Sequence, residues 1–142
     1  MGLQWLGMVT IKGDYQGDLH CSAVHGPSGT AISTDAPKDN QGRGEAFSPT
    51  DLVATALATC VVTTMAIVAR RHGIDLAGLK YEVTKEMSAD SPRRISRIGL
   101  QLWMPPAARG APAGLLEGAA RGCPVHRSLA PGVEQAIEFH WA

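Results

Sequence analysis

The chain has 142 residues and carries thirteen acidic and thirteen basic side chains, so its formal net charge is zero. The length fits one domain spanning 1–142, and the charge balance removes any case for bulk attraction to nucleic acid or to an anionic membrane. Its three cysteines, Cys21, Cys60 and Cys123, are an odd and sparse set, which suits thiol chemistry or packing in a reducing compartment better than a disulfide framework.

The opening MGLQWLGMVTIKGDY lacks a charged leader followed by an apolar core and a small-residue cleavage site. Gly2 is not followed by Ser or Thr at the myristoylation position. The cytoplasm is the expected compartment. Low aromatic content and sixteen glycines give many turns and a modest core, and such a chain gains from oligomerisation.

Residues 4–34 read as a β meander. A short run around Met8 to Ile11 leads to a Gly13-Asp14 turn and a longer run from Tyr15 to Val24. The turn-rich His25-Gly26-Pro27-Ser28-Gly29 and a run from Thr30 to Thr34 follow. Asp35 to Phe47, DAPKDNQGRGEAF, has no periodicity and reads as a long polar loop that delivers Lys38, Arg43 and Glu45 to the start of the next element.

That element is a long helix from Ser48 to Gly73, SPTDLVATALATCVVTTMAIVARRHG. Ser48 caps the first turn, Pro49 takes the first helical position where its missing N–H is harmless, and Asp51 sets a carboxylate three residues past the cap. Arg70, Arg71 and His72 bring positive charge to the last carbonyls, and Gly73 ends the helix. At 1.5 Å per residue the rod is about 35 Å long. Leu52 to Ala69 contains no charge, which predicts burial on every face, inside a core or between subunits. A membrane span is the competing reading on length. Four threonines and five alanines make the segment only mildly hydrophobic, and no second apolar run or basic flanking loop supports insertion.

After a link at 74–78, Leu79, Tyr81, Val83, Lys85 and Met87 alternate with Lys80, Glu82, Thr84 and Glu86 as in a half-buried strand. A turn at Asp90 to Arg93 precedes an antiparallel partner with Ile98, Leu100, Leu102 and Met104 on one face, ended by Pro105-Pro106. Ala107 to Gly114 reads as a loop, Ala113 to Arg121 as a glycine-weakened helix, and Cys123 to Leu129 as a short helical turn. Val133 to Trp141 closes the chain as a strand with Val133, Ile137, Phe139 and Trp141 on one face.

Two cysteines draw attention for opposite reasons. Cys123 occupies a cap position before Pro124, with His126 and Arg127 one turn on, and each feature favours thiolate. At an unperturbed pKa near 8.5 only about 3% of a thiol is ionised at pH 7, whereas a pKa near 6 gives about 90%. Cys60 is mid-helix among Ala56, Leu57, Thr63 and Thr64, so local sequence alone makes it an inert core cysteine unless a cation arrives from elsewhere. Lys12, Lys38, Arg43 and Arg127 are the candidates. Cys21, beside His20 in a strand, reads as structural. The only close pair of metal-ligand type is Cys123 with His126, a weak signal, and no phosphate loop, dinucleotide fingerprint or serine-hydrolase elbow is present. No metal or cofactor is expected.

Taken together, SPTDLVATALATC on the helix and CPVHRSL near the C-terminus, with GEAF before the first and a KEM-ended strand between them, resemble the OsmC/Ohr family of thiol-dependent peroxidases over roughly residues 15–141. The resemblance implies an α+β fold in which antiparallel sheets wrap around a long central cysteine-bearing helix, as an intertwined homodimer. It also implies that Cys60 attacks a hydroperoxide, organic or hydrogen peroxide, and becomes a sulfenic acid that Cys123 resolves to a disulfide. An external dithiol, such as a dihydrolipoyl protein, then reduces it. The family's organic hydroperoxide branch uses an N-terminal arginine paired with a glutamate at the helix start. Here no arginine precedes Arg43 and the expected glutamate is Thr50, so the carboxylate role falls to Asp51 or Glu45 and the cation to Arg43 or Lys12, from either subunit.

Two alternatives come from other classes. One is a dimeric small-molecule-binding or thiol redox-sensing protein without efficient turnover. The other is a metal site built from Cys60, Cys123 and His126, which predicts proton release and tighter folding on zinc addition.

Overall fold

The computed structural model describes residues 7–142; Gly2 and the start of the expected meander at 4–6 lie outside them. The chain divides into two units, Met1–Leu52 and Val53–Ala142.

The first unit is an antiparallel three-stranded sheet, β1 (Ile11–Tyr15), β2 (His20–His25) and β3 (Ala31–Asp35), in that spatial order. The expected Gly13-Asp14 turn is not a turn. Both residues lie within β1, opposite Ala23 and Ser22. The chain reverses four residues later, at the second Gly-Asp pair, where Gly17, Asp18 and Leu19 take φ of 88°, 52° and 59°. The two dipeptides look alike in sequence, but the strands approach so closely at the first that a Cβ on Gly13 would lie 2.1 Å from the Ser22 carbonyl oxygen. Gly13 is there for close approach and Gly17 for the turn. The 36–47 loop has one short 3-10 turn, Lys38–Asn40.

Helix α1 (Pro49–Arg71) starts as its sequence dictates. Ser48 Oγ accepts from the Asp51 N–H at 3.1 Å while the Asp51 carboxylate accepts from the Ser48 N–H at 2.9 Å, a reciprocal capping box. At its far end the Ile74 N–H reaches back to the Ala69 carbonyl around Gly73, whose φ is 70°.

The second unit is α1 from Val53 onward, the strands β4 (Lys80–Met87), β5 (Ile95–Trp103) and β6 (Glu134–His140), and two short helices, α2 (Leu115–Arg121) and α3 (Pro124–Ser128). β4 and β5 form the expected antiparallel pair, whereas β6 runs parallel to β5, a pairing that needs the crossover supplied by α2 and α3. The expected 107–114 loop opens with a 3-10 turn, Pro106–Gly110. β5 alternates: Ile98, Leu100, Leu102 and Met104 are buried, and Arg97 on the opposite face bridges Glu86 and Glu134 across both neighbouring strands.

Ala54, Leu57, Ala58, Val61, Met65 and Ala69 form one stripe of α1 in the core with Leu116, Ala120 and the inner face of β5. Within the single chain, burial is confined to that stripe. Ala56, Thr59, Thr63 and Ile67 on the other side are exposed, Ile67 by 50%. A single layer covers a single stripe. The exposed face is uncharged because it is made of small residues and threonines, and Thr59 satisfies its hydroxyl on the Thr55 carbonyl at 2.9 Å. By length and composition α1 is apolar enough to cross a membrane, but in this fold it is the core helix of its unit.

Candidate active site

The two cysteines that the sequence singles out meet. α2 ends at Gly122, Cys123 follows in extended conformation with φ −66° and ψ 142°, and Pro124 opens α3. Cys123 is thus the cap residue, and its Sγ accepts from the His126 N–H at 3.2 Å. Its side chain has no exposed surface. Cys60 projects from α1 against the same core cluster but is only partly buried, and its Sγ lies 3.9 Å from Thr64 Oγ1. The Cys60 sulfur lies near enough to Cys123 to bear on its ionisation.

Burial, with Cys60 nearby, opposes the ionisation that the cap position favours. Burial raises the Cys123 pKa, the His126 N–H lowers it, and the Cys60 sulfur, as an acceptor for the Cys123 S–H and as a nearby charge, raises it again, with the Val125 N–H a smaller opposing effect; the net shift is upward. Local geometry offered Cys123 two backbone donors, but desolvation of a fully buried sulfur outweighs them. Burial thus favours the protonated form of Cys123.

The other expected residues are described within their own units. Asp51 is engaged in the capping box. Lys12 is exposed on β1, and Arg127 is exposed on α3. Arg43 and Glu45 are held by a residue that the sequence reading passed over. Asp35, 1% exposed at the end of β3, accepts from His20 Nδ1 at 2.5 Å and from the Glu45 N–H at 3.0 Å, with the Arg43 guanidinium at 3.8 Å. These contacts hold its carboxyl below the usual range, the His20 hydrogen bond foremost. The signal was a carboxylate one strand across from a histidine: His20 and Asp35 are in register.

A second overlooked residue is Gln135. Its Oε1 lies 2.6 Å from His126 Nδ1, and its Nε2 donates to the His126 carbonyl at 3.2 Å. The hypothesised three-ligand metal site is not assembled: among the described residues no three His, Cys, Asp or Glu side chains converge to hold an ion. A concavity of about 570 Å³ at the C-terminal end of α1, lined by Val62, Ala66, Arg70, Ile74 and Leu79 among others, includes neither cysteine.

Residues 42–138 match the family model described as OsmC-like protein. Among solved structures, a proposed osmotic stress induced and detoxification response protein from Psychrobacter arcticus is 46% identical, with a TM-score of 0.84 over 94% of this chain and 97% of that one. An organic hydroperoxide resistance protein, OsmC, from Legionella pneumophila is 16% identical, with a TM-score of 0.72 over 93% and 96%. An OsmC-like protein of unknown function from Vibrio cholerae is 11% identical, with a TM-score of 0.78 over 94% and 99%. The last two show the fold alone. No functionally curated protein matches the chain. With most of its length inside the family model and a relative at nearly half identity, the chain belongs to the OsmC/Ohr family, which is associated with peroxide-related redox chemistry.

Proposed function

We propose that the chain is a thiol-dependent peroxidase acting on organic hydroperoxides or hydrogen peroxide. The observation that carries this reading is the pairing of a partly exposed thiol, Cys60, with a buried thiol that resists ionisation, Cys123. The division of labour follows from the pair. The Cys60 thiolate attacks the distal peroxide oxygen, the O–O bond breaks, and the alkoxide leaves as alcohol after taking a proton. Cys60 is left as sulfenic acid. Cys123, still holding its proton, then attacks the Cys60 sulfur, and the sulfenic oxygen departs with that proton as water. An external dithiol, of the dihydrolipoyl kind in the reading from sequence, restores both thiols by exchange.

The whole chain is one OsmC-like domain in this reading, and two copies form the homodimer. The uncharged outer face of α1 supports that assembly, because an exposed helix surface of this length ordinarily carries charge. A reducing cytoplasm suits an enzyme that rests with both thiols free. Of the two candidate cations, Arg43 is the one already oriented by a carboxylate, so Arg43→Met is expected to slow peroxide consumption more than Lys12→Met. A redox sensor would use the same cysteines and differ only in rate.

The decisive experiment is intact mass and free-thiol titration of the reduced protein before and after one equivalent of cumene hydroperoxide. The expected result is rapid loss of both thiols, mapped to a Cys60–Cys123 disulfide, and its abolition by Cys60→Ser. Full turnover in Cys60→Ser removes the reading, and thiols unchanged after minutes favour the binding or sensing alternative.

A further inference from the structure

The closing strand breaks its own pattern at one position. β6 turns Ile137 and Phe139 toward the core, and Gln135, on the same face, stands in register with Ile98, which has no exposed surface. An apolar side chain would suit that position, so a half-buried amide there requires partners. Both of its partners belong to one residue: Oε1 meets His126 Nδ1, and Nε2 donates to the His126 carbonyl. An amide oxygen only accepts, so His126 carries a proton on Nδ1. His126 in turn donates its backbone N–H to Cys123 Sγ. One amide on the sheet grips both the ring and the main chain of the residue whose N–H points at the second sulfur.

We propose that Gln135 and His126 are positioning residues for Cys123, fixing α3 and thereby the direction of Cys123 Sγ for the step that closes the disulfide. This rests on the peroxidase reading above. In that step the Cys123 sulfur approaches along the Cys60 S–O axis, the S–S bond forms as the S–O bond breaks, and the departing hydroxide takes the Cys123 proton as water. Such a displacement depends on alignment. α3 has five residues, too few to hold an angle by its own hydrogen bonds, whereas Cys60 rides on a helix of 23. The clamp acts on resolution and leaves peroxide attack alone.

Gln135→Met keeps length and apolar fit while removing both bonds, and Gln135→Glu keeps an oxygen for Nδ1–H. With one equivalent of cumene hydroperoxide, sulfenic acid is trapped with dimedone and disulfide is followed by quenched-flow mass spectrometry. Gln135→Met is expected to oxidise Cys60 at the wild-type rate and close the disulfide about tenfold more slowly. Under excess peroxide it should accumulate Cys60 sulfinic acid. Gln135→Glu should recover most of the closure rate. Unchanged closure in Gln135→Met overturns the clamp. So does equal slowing of both steps with a lowered urea midpoint, which is general loosening. Diamide closes the same disulfide without peroxide and separates the two readings. Slow diamide closure in Gln135→Met beside a wild type inert to peroxide upholds the clamp and removes the peroxidase; equal diamide rates in wild type and variant overturn the clamp.

Discussion

The two units of this chain are held in shape by different forces. In the second, apolar residues and buried positions coincide: Leu57, Met65, Ile98, Leu100, Leu102 and Leu116 expose no surface. In the first they part company. Ile11, Ile32 and Val24 are exposed by 63%, 48% and 40%, while the buried residues among those described are Asp35 and Ser48, both polar and both hydrogen-bonded. A buried leucine contributes about 1.5–3 kcal/mol, and a hydrogen bond about 1 kcal/mol net. The first unit therefore has well-defined geometry on a thin energetic base, and the second has the core. The residues that position Arg43 and Glu45 belong to the former, and the paired thiols belong to the latter.

The contrast breaks most visibly in the core. Leu100→Ala removes a fully buried side chain from the middle of β5, where the cluster can collapse only partly. It is expected to cost about 2–5 kcal/mol, read as a drop in the urea midpoint at unchanged slope. A loss below about 1 kcal/mol would mean that the second unit is as loosely packed as the first.

What was legible in the sequence follows the same division between local and tertiary causes. The α1 cap was readable because Ser48 and Asp51 satisfy each other within one turn. β5 was readable because its alternation is sharp. The Gly13 error came from two Gly-Asp pairs that local sequence cannot rank; only the approach of Ser22 decides between them. For α1, the lack of charge says what its faces avoid and not what covers them. Cys123 shows the same limit of local sequence. Its backbone donors are local and were foreseen, whereas the desolvation that outweighs them comes from the surrounding core. The clamp on His126 left a trace, a glutamine on the inner face of an otherwise apolar strand. Asp35 left a fainter one, since pairing it with His20 requires the β2–β3 register.

The units should also differ in the pH at which each gives way. Asp35 has a lowered carboxyl pKa, so the unfolded chain binds its proton more readily than the folded one. Its stabilisation is present above the unfolded value of about 4 and is lost as pH falls through the lower folded value. Cys123 is shifted the other way. Its contribution is present below the unfolded thiol value of about 8.5 and is lost as pH rises toward the higher folded one. Asp35→Asn is therefore expected to flatten the acid limb of a stability–pH curve and leave the alkaline limb intact, and Cys123→Ser to do the reverse. Denaturant midpoints from pH 3 to 10 for the three proteins check this. An acid limb unchanged by Asp35→Asn would remove the buried carboxylate as the feature that holds the first unit.

The smallest expected effect is the most telling about what the first sheet is for. Ile11, Ala23 and Ile32, with His25, Ser28 and Thr30, line an open and largely apolar concavity of about 410 Å³. Truncating a side chain that is already 48% exposed forfeits little burial, so Ile32→Ala should change the stability of single chains by less than about 0.5 kcal/mol. In the proposed homodimer the result depends on concentration. If a second copy covers this sheet, the cost rises toward about 1–2 kcal/mol as the protein is concentrated, because the deleted methyl groups are then removed from an interface as well as from a solvated surface. Unfolding of Ile32→Ala and wild type across a hundredfold range of concentration separates the cases. A small cost at every concentration leaves the sheet solvated and the homodimer without this face. A cost above about 1 kcal/mol that does not vary with concentration would place the cover within the same chain and erase the distinction between the two units.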